Sequence, residues 1–153
     1  MKIVSLIITA IMSISSVYAK PKIRFHIDPK CPYREEIKAG VKELNRRSTR
    51  YKFIHRKRRS FKVYCNAKIK PLGVAYMYRH KAYLSPRATT EPKKAAYITI
   101  HELFHLLWIE HQSTAGSVMN PYFYGVREIP DSDIFLLRKA LRYRKNRKSK
   151  RID

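Results

Sequence analysis

The sequence predicts an α+β domain, and three observations carry that expectation. Short runs in the first half of the chain alternate apolar and polar side chains, as half-buried strands do. Longer segments near 32–47, 90–107 and 131–142 place their apolar residues at helical spacing, each on one stripe. Prolines, glycines and basic clusters separate these segments at short intervals.

Taken in order, Ile23-Arg24-Phe25-His26-Ile27 suits a first strand. Pro32 opens a helix in which Ile37, Val41 and Leu44 share a face, and Glu35 and Glu36 sit in its early turns, where the helix dipole favours anions. That helix ends among Asn45, Arg46 and Arg47. Tyr51-Lys52-Phe53-Ile54 and Phe61-Lys62-Val63-Tyr64-Cys65 read as two strands joined by a basic turn. Pro71-Leu72-Gly73 breaks the chain, and Val74–Tyr78 and Lys81–Leu84 follow as two short strands, or as a hairpin round Arg79-His80. A second helix starts around Thr90, Glu91 and Pro92, with Ala96, Ile100, Leu103 and Leu107 on its apolar side. Pro130-Asp131-Ser132-Asp133 caps a last helix whose Ile134, Leu137 and Leu141 form a core stripe. Residues 20–142 are thus expected to form one small domain, and 143–153 a basic, flexible tail.

Residues 1–19 read as a secretory signal peptide: Lys2 at the start, an apolar run from Ile3 to Met12, and Val17-Tyr18-Ala19 before the cut. The chain is therefore expected to be secreted or periplasmic after cleavage near Ala19. In that setting the two cysteines, Cys31 and Cys65, favour one disulfide over free thiols. Charge is the other strong compositional signal, with 34 Lys and Arg against 11 Asp and Glu for a net +23. The basic residues concentrate in 46–62 and 138–151. Such surfaces attract anionic lipid, acidic polysaccharide or acidic protein. No nucleic-acid module signature accompanies them, so a specific nucleic-acid partner is not expected. The chain is expected to be a monomer.

The most informative stretch is His101-Glu102-Leu103-Phe104-His105-Leu106-Leu107-Trp108-Ile109-Glu110-His111. On a helix His101 and His105 fall within about 40° of each other, one turn apart, so both imidazoles can reach one ion. Glu102 lies about 100° round from His101, where a carboxylate can touch a water bound to that ion. His111 can join only if the chain leaves the helix near residue 108 and folds back, because a continuing helix would carry it about 15 Å further along the axis. If the helix runs on, Glu110 or a more distant acidic residue or histidine becomes the candidate third ligand. His26, His55 and His80 are scattered and read as surface or core residues.

This pattern resembles the metzincin clan of zinc endopeptidases, in particular its matrixin-like branch. That clan's signature is H-E-x-x-H-x-x-G-x-x-H, followed by a turn carrying a methionine beneath the metal. The resemblance implies zinc ligands at His101, His105 and His111 and a general base at Glu102. It implies a Met-turn at Ser117-Val118-Met119-Asn120-Pro121, with Met119 as its methionine, and a substrate-pocket wall built from Pro121, Tyr122 and Phe123. It also implies a zincin-like fold: a twisted mixed sheet of four to five strands, the active-site helix and two further helices. In that family the last strand before the helix is the sheet edge that pairs with substrate, which points to Val74–Tyr78 or Ala82–Ser85. One departure stands out, Trp108 in place of the glycine at which the helix ends. A second is the absence of any acidic residue between Phe61 and Thr90, where matrixins carry acid-rich calcium loops. One catalytic Zn²⁺ and no calcium are therefore expected.

The function that follows is a secreted zinc endopeptidase acting on peptides or proteins. Two other readings fit the same residues: an exported polybasic protein that binds an anionic or envelope surface around a structural zinc, and a zinc amidase acting on cell-wall peptide.

Overall fold

The structure, a computed structural model, describes residues 20–48, 50–122 and 128–149. The expected signal peptide and Phe123 of the expected pocket wall lie outside the described residues.

Five strands, β1 (Lys22–Ile27), β2 (Lys52–His55), β3 (Phe61–Tyr64), β4 (Gly73–Tyr76) and β5 (Lys81–Leu84), form one sheet in the order β2-β1-β3-β5-β4. The first four in that order run parallel, and β4 lies antiparallel at the edge beside β5. Three α-helices complete the described fold: α1 (Arg34–Arg47), α2 (Pro92–His105) and α3 (Asp131–Ser149). The α+β expectation, with a mixed sheet and three helices, is met.

Alternation along the strands divides the sheet into two unlike faces. Phe25, Ile27, Phe53, Phe61, Val63, Ala82 and Leu84 point to one side and are all buried. Helices α1 and α2 pack on that side and against each other. Ile37, Val41 and Leu44 of α1 are buried, as their spacing predicts, and so are Ala96, Ile100 and Leu103 on the apolar side of α2 and Leu107 in the turn just after it. The two helices approach closely at Gly40, where an added Cβ would stand 2.8 Å from the Ala96 side chain. A larger residue would force them apart.

Cys31, just after β1, is joined to Cys65, just after β3, so the expected disulfide forms. It fits an oxidising environment. Among the described residues no helix is long and apolar enough to cross a membrane.

One local reading changes. Strand β5, the last before α2, is not the sheet edge: it lies between β3 and β4, with its hydrogen-bonding groups used on both sides. This removes Ala82–Ser85 as a substrate-pairing edge and leaves the Val74–Tyr78 region, of which Gly73–Tyr76 is strand and Met77–Arg79 a single 3-10 turn. Helix α3 runs past Arg142, into the basic segment 143–153, as far as Ser149. Lys and Arg are good helix formers, so a basic run can extend a helix that begins on an apolar stripe.

Candidate metal centre

Helix α2 presents His101 and His105 one turn apart and then ends in the way His111 requires. The Trp108 N–H bonds the His105 carbonyl at 2.8 Å, and the Ile109 N–H bonds the Phe104 carbonyl at 3.1 Å. Trp108 itself has φ 66°. A left-handed residue bracketed by those two bonds is a Schellman cap, and buried Phe104 and Ile109 supply its usual apolar contact. The chain therefore reverses at Trp108 although the residue has a Cβ, at a conformational cost of about 1–2 kcal/mol relative to glycine. The residue is 48% exposed, and its ring meets that of Tyr78 edge-on, with centroids 5.0 Å apart.

Beyond the reversal, His111 swings back onto the helix. The three Nε2 atoms converge, with His105 at 3.0 Å from both His101 and His111, and His101 and His111 3.3 Å apart. Among the described residues this is the one group of three or more His, Cys, Asp or Glu side chains placed to hold a metal. Neither Glu110 nor His26, His55 or His80 belongs to it.

Hydrogen bonding at the far side of the rings decides what the cluster can do. His101 Nδ1 faces the Val118 carbonyl at 2.6 Å, and His105 Nδ1 faces the Ile109 carbonyl at 2.8 Å. A carbonyl only accepts, so each Nδ1 must carry the hydrogen, and each Nε2 of a neutral ring is then a bare lone pair. Burial, only partly offset by the Val118 hydrogen bond, pushes His101 down to about 4, and burial likewise lowers His105. Both rings are thus neutral near pH 7. Two bare nitrogens at 3.0 Å repel unless a cation lies between them. Zinc bound at about 2.0–2.1 Å to each of three tetrahedral ligands would separate the nitrogens by about 3.3–3.4 Å. The observed triangle is within a few tenths of an ångström of that, so the residues fit such an ion.

The Met-turn expected from the sequence supplies one of those carbonyls. Asn120 N–H bonds the Ser117 carbonyl at 3.1 Å to close the turn, Met119 is fully buried within it, and Gln112 N–H bonds the Met119 carbonyl at 2.9 Å. Residue 119 is thereby tied to the segment that carries His111. Helix α3 holds the turn from the other side. Asp133 accepts from the Ser117 hydroxyl and the Val118 N–H, both at 2.6 Å, and the Tyr97 hydroxyl donates to the Ser117 carbonyl at 2.8 Å. Burial raises Asp133 despite these two hydrogen bonds, and burial, then the Asp133 charge, raises Tyr97. The sequence marked Asp133 as part of a helix cap; its role in fixing the orientation of His101, through Val118, depends on contacts that only the fold creates.

Glu102 is 3% exposed, and its Oε2 has no hydrogen-bond partner among the described residues. Burial alone pushes its carboxyl up to about 8. Its side chain lies against Gly73 at the start of edge strand β4: a Cβ there would come within 2.8 Å of both Cγ and Cδ and closer still to Oε1. Gly73, read in the sequence only as a break, is thus the position that lets the edge strand pass beside this carboxyl group. Pro121, the last residue of the expected Met-turn, and Tyr122 after it, both of the expected pocket wall, are exposed.

No protein-family model matches the chain, and no curated protein is significantly similar to it. The chemistry of the site rests on its own geometry.

Proposed function

We propose that this chain is a zinc-dependent endopeptidase of the metzincin, matrixin-like kind. The observation that carries the reading is the convergence of three imidazole Nε2 atoms, two of them fixed as bare acceptors by backbone carbonyls, next to a buried glutamate without a partner. An ion held by His101, His105 and His111 would acidify a bound water and polarise a carbonyl oxygen. No fourth His, Cys, Asp or Glu joins the cluster among the described residues, which favours an open catalytic position over a closed structural site.

A cation at the three histidines would favour the ionised form of Glu102 despite its burial, so that Glu102 would take a proton from the attacking water as the water oxygen bonds to the scissile carbonyl carbon, and then pass that proton to the departing amine as the C–N bond breaks. Edge strand β4 offers the unpaired side of Gly73–Tyr76 to an extended peptide, which would add to the sheet by β-augmentation. The close passage of Gly73 past Glu102 brings that peptide's backbone to the proton-transfer group. Val118 and Ile109 hold two of the rings in register, and buried Met119 fills the floor of the turn.

The decisive variant is Glu102→Gln, measured for zinc content and for cleavage of a peptide library. Zinc should stay at one ion per chain while cleavage falls by about 10²-fold or more. Full activity with zinc retained would overturn the assignment. A digest of purified cell wall run beside a protein substrate separates endopeptidase from amidase action.

A further inference from the structure

The sheet face turned away from α1 and α2 plays no part in that chemistry, and its composition is distinctive. Register lines up His26, Lys62, Lys81 and Tyr76 as one row across β1, β3, β5 and β4. Tyr64, Tyr83 and Val74 form the next row, and Lys22 stands beside Lys52 at the other end of the face, with Arg24 between. All of these side chains are partly or fully exposed, whereas their neighbours on the opposite face are mostly buried. None of the five strands contains an acidic residue. Among the described residues no carboxylate pairs with Lys22, Arg24, Lys52, Lys62, Arg79 or Lys81. Lys62 Nζ donates to the Lys57 carbonyl, which leaves it two further hydrogens.

The tyrosines are arranged in a particular way. Tyr64 and Tyr83 stack on each other with centroids 5.2 Å apart, and Tyr76 meets Tyr83 edge-on at 5.7 Å. Lys81 lies 6.0 Å from the Tyr64 centroid and Arg79 lies 5.9 Å from that of Tyr76. Ring faces that a nucleobase would need for stacking are therefore largely taken up by one another and by cations. What the face offers outward is phenol edges and hydroxyls interleaved with unpaired positive charge. Hydroxyl-rich, acid-bearing chains match that pattern. The disulfide points the same way, since it fits an oxidising environment in which nucleic acid is not the common polyanion.

We infer that this sheet face binds an acidic polysaccharide, a carboxylated or sulfated glycan whose acid groups pair with Lys62, Lys81, Lys22 and Arg24 while its hydroxyls meet Tyr64, Tyr76 and Tyr83. The face takes in Val74 and Tyr76 of edge strand β4 but not the metal cluster. A bound glycan would hold the chain on a matrix with the metal centre free, and the inference does not depend on the peptidase reading.

A chain of net +23 will attract any polyanion through counterion release, so the test compares variants of equal charge. The chain would be titrated with polygalacturonate, heparin and oligo(dT) at about 0.15 M salt. The pair Lys62→Gln with Lys81→Gln is set against Lys42→Gln with Lys93→Gln, which removes the same charge from exposed positions on α1 and α2. Polygalacturonate or heparin affinity should fall about tenfold in the first pair and no more than about twofold in the second. Tyr83→Leu, which changes no charge, should weaken the same glycan by about threefold or more. Which of the two glycans binds more tightly identifies the acid group. Unchanged metal content and melting temperature establish that the variants are folded. Equal losses in the two lysine pairs, or tighter binding to oligo(dT) that Tyr83→Leu weakens, would overturn the assignment.

Discussion

Two groups of histidines in this molecule show what turns imidazoles into a site. His101, His105 and His111 point their Nε2 atoms at one another, and burial is the main cause of the low pKa of the first two, with no Lys or Arg contributing. His26 and His55 also lie close, with ring centroids 5.1 Å apart, and burial lowers both. Here, however, lysines and Arg34 add to the lowering, and His55 Nε2 is already used, accepting from the Ile27 N–H at 3.2 Å. The first group has converging lone pairs, a third partner and no cation among the causes of its shifts; in the second, His55 Nε2 is occupied, the unpartnered His26 Nδ1 meets no third ligand, and lysines and Arg34 lie near. Proximity and neutrality are shared by both, and convergence of unused acceptors is what separates them.

The most severe way to break this comparison is to remove one ring from each group. His105→Ala should reduce bound zinc from one per chain to near zero after dialysis against a weak chelator, while His26→Ala leaves the metal content unchanged; elemental analysis of both proteins reads the outcome. Crowding the centre without touching a ligand is a finer probe. Gly73→Ala puts a methyl group into Glu102, so cleavage should drop by about 10–100-fold with zinc retained, measured as kcat on a fluorogenic peptide.

Acid separates the two groups by mechanism. In metal-free protein the folded-state pKa of His26, His55, His101 and His105 is below the ordinary 6.5, so the folded chain binds fewer protons than the unfolded one. Stability contributed by these rings is complete above 6.5 and is lost as pH falls toward about 4, the value for His101. Urea midpoints across that range should show this slope. Added salt should flatten only the share that His26→Gln with His55→Gln also removes, because cations contribute to that share and screening acts on exposed charges. The smallest expected effect concerns the reversal itself. Trp108→Gly should relieve about 1–2 kcal/mol of left-handed strain and lose about 0.5–1.5 kcal/mol of contact with Tyr78, leaving stability within about 1 kcal/mol of the parent by denaturant titration.

Much of the site could be read from residue order because a helix converts spacing into direction. The four-residue step from His101 to His105, and the apolar residues opposite, need only the helical period. His111 needed one further condition, a break at residue 108, and the structure meets it by placing a tryptophan where a glycine would be easier. Sheet order was less accessible. Which of β4 and β5 forms the edge depends on pairings between distant segments, and the two strands look alike as short apolar-polar runs. Gly73 beside Glu102, and the Val118 carbonyl behind His101, were equally hidden, since one is an absent side chain and the other is backbone. The outer sheet face was half visible: its lysines stood out in the composition, but their alignment with Tyr64, Tyr76 and Tyr83 exists only across strands.

The bond between Cys31 and Cys65 spans 34 residues, and that stretch holds α1, β2 and β3. Closing a ring of that size withdraws freedom from the denatured ensemble worth about 3–4 kcal/mol. For a domain this small, such a sum is a large part of the total margin against unfolding. The lysine-bearing strands, which repel one another and gain little from ion pairing, are therefore fastened covalently, and a thiol-reducing medium would loosen that half of the protein before the half built round α2.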